Sequence, residues 1–106
     1  MIVTTTDGIP GKRIKKVLGI VRGSTIRARH LGMDLTAAFK NITGGEITEY
    51  TKLLAESREQ CLDRMREEAT GLGANAVVGV RFMTSSMMQS ASELFVYGTA
   101  VIVEDE

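Results

Sequence analysis

The chain has 106 residues, 43% of them apolar and 25% charged, and its 13 Lys+Arg balance 13 Asp+Glu. That length suits a single domain over residues 1–106, and one Cys excludes an internal disulfide or a zinc site built only on cysteines within one chain. No apolar run approaches the ~20 residues of a membrane span, and the opening MIVTTTDGIPG lacks a basic stretch ahead of an apolar one, so the expected location is the cytoplasm, with no membrane partner.

Ile2–Thr6 is a short β-branched run ended by Asp7-Gly8, which predicts an edge strand and a turn; Pro10-Gly11 prolongs the loop. Ile14–Arg22 (IKKVLGIVR) predicts a strand with Val17, Gly19 and Val21 on one face and Leu18 and Ile20 on the other, both faces covered. Gly23-Ser24 then predicts a break, a bend or a bulge, after which Thr25–His30 continues the strand. Asp34 is placed to cap a short helix whose face is Leu35, Ala38, Phe39 and Ile42, and NITGG at 41–45 ends it.

Glu46–Leu72 is the longest periodic segment, with Gly73 placed to stop it. Its apolar stripe runs through Ile47, Tyr50, Leu54, Cys61, Met65, Ala69 and Leu72, interrupted at Ser57-Arg58. A helix of that length would be ~40 Å long and would overhang a small core, which points to a kink or to packing on a neighbouring subunit. Ala76–Met83 predicts a strand, Thr84–Ser92 (TSSMMQSAS) a polar linking loop, and Leu94–Val103 a second strand apolar on both faces. The two strands are expected to form an antiparallel hairpin covered on both sides. One long helix covers only one of them, so a partner subunit is the economical cover for the other.

The zero net charge conceals an asymmetry. Residues 1–40 hold eight basic side chains (Lys12, Arg13, Lys15, Lys16, Arg22, Arg27, Arg29, Lys40) and two acids; residues 41–106 hold five basic and eleven acidic ones. A basic cluster can displace counterions from phosphate, but the three Phe and two Tyr are not interleaved with it, which argues against nucleic acid. The expectation is that the two halves meet, within a subunit or across an interface.

The segments TTTDGIPG at 4–11, VLGIVRG at 17–23, GGEITEYTKLLAESRE at 44–59, LGANAVVGVRF at 72–82 and YGTAV at 97–101 resemble, in that order and over essentially the whole chain, the YbjQ-like family of small bacterial and archaeal proteins, which carries a heavy-metal-binding label. The resemblance implies an α+β subunit, a small β-sheet with one short and one long helix, that assembles as a homopentameric ring. It implies no established reaction.

A soft ion would take thiolate, thioether or imidazole donors: Cys61, His30, Met33, Met65, Met83, Met87 and Met88. No paired Cys or His motif is present. Cys61 and Met65 stand at i, i+4, but on the apolar stripe, where both residue types usually fill core; His30 beside Arg27 and Arg29 suits a hydrogen-bonding role. Met87 and Met88, expected in a loop, are the more open sulfurs. One ligand per chain repeated around an axis can still build a site, so His30, Cys61, Met87 and Met88 stand as metal candidates and a soft metal ion as the candidate cofactor.

No nucleophile or phosphate-binding motif appears, Cys61 lies mid-helix, and Gly44-Gly45 before the long helix suits a hinge or close packing rather than an anion site; no enzymatic activity is expected. Arg81 interrupts an apolar strand and predicts a structural ion pair with Glu46, Glu49 or Glu93, or with a carboxylate of a neighbouring chain. The sequence thus predicts a non-catalytic, homo-oligomeric binding protein whose main partner is itself, with a small ligand or a soft heavy metal as the further possibility.

Overall fold

The computed structural model describes residues 1–27, 48–88 and 91–106. The predicted short helix at 35–42, its cap Asp34 and the strand extension to His30 lie outside the described residues. Four strands, β1 (Ile2–Val3), β2 (Lys12–Arg27), β3 (Ala76–Met88) and β4 (Ala91–Asp105), form one sheet in the order β1-β3-β4-β2, and the helix α1 (Thr48–Gly71) packs on one face. β1 runs parallel to β3; the other pairings are antiparallel. The fold is α+β. No helix among the described residues is long and apolar enough to cross a membrane.

The helix forms where its periodicity places it. Ser57, Cys61, Met65 and Ala69, four residues apart, are its buried stripe. Ser57 belongs to that stripe instead of interrupting it, while Leu54 and Leu72 are exposed. The stop is a glycine cap: Gly73 takes φ +85°, the amide of Ala74 donates to Ala69 O and that of Gly73 to Thr70 O, which satisfies the last carbonyls. Against the stripe pack Val21, Val77, Val80, Val96 and Ala100 from the sheet. Gly23 sits directly under the helix, where an added Cβ would overlap Cys61 O and lie 2.9 Å from the Met65 amide nitrogen. The expected break at Gly23-Ser24 is therefore absent: β2 runs straight through, and the glycine provides close approach.

The irregularities of β2 fall earlier, as register shifts between Ile14 and Lys16 and between Val17 and Gly19. Each adds one residue to β2, so the strict two-residue alternation fails. Val17 and Ile20, predicted on opposite faces, both lie on the face away from the helix, while Leu18 packs against the main core with Val21. The predicted loop 84–92 is also corrected. β3 continues to Met88, which pairs with Ala91, because Thr84 and Ser85 find backbone partners in Leu94 and Glu93; a ladder needs alternating backbone groups, not apolar side chains.

Strands β2, β3 and β4, 13 to 16 residues long, extend well beyond the helix they carry. The radius of gyration is 17.2 Å, with extents of 55 × 26 × 17 Å, against about 13 Å for a compact chain of this length.

Candidate functional site

Among the described residues, the face of the sheet away from α1 is covered only in part. At one end Ile9, on the segment following β1, packs over Ala76, Val78, Val101 and Val103. Along β2, the side chains of Ile14, Val17 and Ile20 are left exposed, Val17 at 61% and Ile20 at 70%, and Met83 on β3 is 54% exposed. The register places Ile20 opposite Thr99, Arg22 opposite Tyr97 and Ser24 opposite Phe95, while on the other side of β4 Arg81 stands opposite Tyr97 and Met83 opposite Phe95. Phe95 and Tyr97 are partly buried and their rings tilt against each other with centroids 5.7 Å apart. The result is an apolar, aromatic surface crossed by one cationic row, Arg22–Tyr97–Arg81, carried by three adjacent strands. Sequence reading kept the aromatics and the basic residues apart; the sheet brings them together.

Arg81 is exposed, and its Nη1 donates to Thr5 O and Val80 O, each at 2.8 Å. Among the described residues no ion pair includes Arg81, and Glu93 stands opposite Ser85, four residues along β3. Glu46 and the side chain of Glu49 lie outside the described residues.

The charged halves do meet within the subunit. Lys12 reaches Asp105 at 2.7 Å, Arg13 pairs with Glu104, and Lys15 lies 3.8 Å from the same carboxylate, because antiparallel pairing sets the start of β2 beside the end of β4. The Lys12 ammonium, by hydrogen bond and charge, holds the Asp105 carboxyl below its ordinary value.

Cys61 is fully buried between helix and sheet, donating from Sγ to Leu94 O at 3.3 Å and lying 3.6 Å from Thr25 Oγ1, and Met65 is buried in the same core. Neither sulfur offers a lone pair to solvent, so within the chain the Cys61–Met65 pair reads as core and not as a metal site. No group of three or more His, Cys, Asp or Glu that could hold an ion occurs among the described residues. His30 lies outside them; Met87 and Met88 are the last two residues of β3, strand and not the expected loop, with side chains outside the described set.

The YbjQ family model, described as "Putative heavy-metal-binding", matches residues 1–104. The chain belongs to the YbjQ family. Relatives named UPF0145 protein include one from Hahella chejuensis, 56% identical over 98% of this chain and 100% of its own, and one from Fervidobacterium nodosum, 58% identical over 95% and 94%. A third, from Methanosarcina acetivorans, is 55% identical over 95% of both. Among solved structures, a Pediococcus pentosaceus protein of unknown function, titled as belonging to the DUF74 family, matches with a TM-score of 0.65 over 98% of both chains; at 16% identity it shares the fold. For this member of the YbjQ family, the metal wording finds no support in Cys61 or Met65, and the most developed surface is the open sheet face.

Proposed function

We propose that this chain acts as a subunit of a homo-oligomer, a pentameric ring, that works by assembly and binding and not by catalysis. The observation that supports this reading is the open sheet face: Ile14, Val17, Ile20 and Met83 leave apolar surface in water beside Phe95 and Tyr97, a contiguous patch of the kind that marks an interaction site. The elongated outline points the same way, since a chain that folds for itself alone approaches a sphere. Static light scattering at micromolar concentration is expected to give five times the single-chain mass of 11.5 kDa. Val17→Glu combined with Ile20→Glu is expected to lower that mass with the far-ultraviolet circular dichroism unchanged. A wild-type protein that scatters as one chain overturns the reading.

A second reading, favoured by the family's description, is a soft heavy-metal binder that uses donors repeated by symmetry, His30, Met87 or Met88. Calorimetry with copper(I), zinc and cadmium on the wild type and on the His30→Ala and Met87→Ala/Met88→Ala variants tests it; affinities indifferent to these substitutions remove it.

A further inference from the structure

Resting on the assembly reading above, we propose that the open face of one copy is covered by the outer surface of helix α1 of the next copy, with Glu56 and Asp63 of that copy set over Arg22 and Arg81. Three observations carry this. First, the face is apolar but not neutral. Arg22 and Arg81 flank Tyr97 on adjacent strands, one strand apart on each side, so their Cα atoms stand about 10 Å from each other. No carboxylate pairs with either among the described residues. Apolar docking that desolvates two guanidinium groups has to bring counter-charge with it.

Second, α1 supplies counter-charge at the matching spacing. Its surface opposite the buried stripe carries Glu56, Glu59, Asp63 and Glu67, all exposed. Glu56 and Asp63 are seven residues apart, two turns, and therefore lie on one line of the helix at a separation of ~10.5 Å. The helix surface around them, lined by Lys52, Ala55, Glu56, Glu59, Gln60 and Asp63, forms a shallow, open depression. The like-charged i, i+4 neighbours Glu59, Asp63 and Glu67 repel one another, and Arg66, 3.2 Å from Asp63, is their one ion-pair partner among the described residues. An external cation relieves that repulsion.

Third, symmetry selects this contact over the face docking on itself. A two-fold pairing centred on Tyr97 would place the arginines of one copy against those of the other. A ring requires instead that two different surfaces of the same chain be complementary, and the open face and the outer side of α1 are such a pair.

Three charge-reversal variants test the proposal by light scattering, with circular dichroism as the check that each is folded. Arg22→Glu/Arg81→Glu and Glu56→Lys/Asp63→Lys are each expected to fall to the single-chain mass, and the fourfold variant combining them is expected to recover the wild-type mass. Equimolar mixing of the two double variants serves as a second measurement, because the face of each then meets an oppositely charged helix on the other, in wild-type polarity at one junction and in reversed polarity at the next: the mixture is expected to scatter well above the single-chain mass that each variant gives alone. If the wild type assembles but the arginine variant keeps its full mass, or the helix variant keeps its mass while the arginine variant loses it, a surface other than α1 covers the face and the proposal is overturned. A wild-type dimer would show the face pairing with itself, which overturns it as well. A wild-type single chain instead defeats the assembly reading on which it rests.

Discussion

Asp105 shows how a surface charge takes its properties from topology. Antiparallel pairing sets it opposite Lys12, and the 2.7 Å contact lowers its carboxyl below the ordinary 3.8. A depressed carboxylate stabilises the fold at pH values above its unfolded value, and the contribution is lost as the pH falls through the lower, folded value. With the group fully exposed, the effect belongs to titration more than to stability. Carbon-detected NMR is expected to place the Asp105 midpoint below that of a model peptide, and Lys12→Gln to return it to the ordinary range. An unchanged midpoint in the variant would assign the shift elsewhere. Arg81 follows the same logic: a lone charge in an apolar strand signals a constraint, but its satisfaction by the carbonyls of Thr5 and Val80 depends on a segment that arrives from the other end of the chain.

At the level of elements, the seam between α1 and β2 is the tightest contact described. Gly23→Ala is expected to cost about 1–3 kcal/mol, the range for overpacking, because the methyl group meets helix backbone and not a side chain that can rotate away. Urea unfolding of wild type and variant measures it, and equal midpoints would show that the seam can open freely. That seam also shows what sequence reading could reach. The helix was legible because Cys61, Met65 and Ala69 repeat at four-residue steps before Gly73. The ends of the strands were not. Thr84–Met88 carries no apolar alternation, yet it remains strand because β4 continues beside it. Gly23 reads as a breaker in isolation, since its purpose lies in a helix backbone some 40 residues away. Two bulges in β2 turn Ile14, Val17 and Ile20 into a three-residue repeat on one face, and nothing in IKKVLGIVR marks where the extra residues fall.

For the whole molecule, the sequence already implied that the long helix covers only one of the sheet's two apolar faces, and among the described residues the other face is the open one. The candidate site itself was not legible, because Arg22, Arg81 and Tyr97 become neighbours only through register. Cys61 gives the molecule an internal clock. A thiol at zero exposure, hydrogen-bonded to Leu94 O, reacts with a maleimide only while the helix is lifted from the sheet, so its labelling rate counts openings. Association that favours the closed chain slows that count by mass action. Labelling is therefore expected to slow as protein concentration rises through the range of assembly, and a rate indifferent to concentration would mean that the core opens without regard to its neighbours. The one cysteine, buried beneath α1, is placed to report how often the seam between helix and sheet opens.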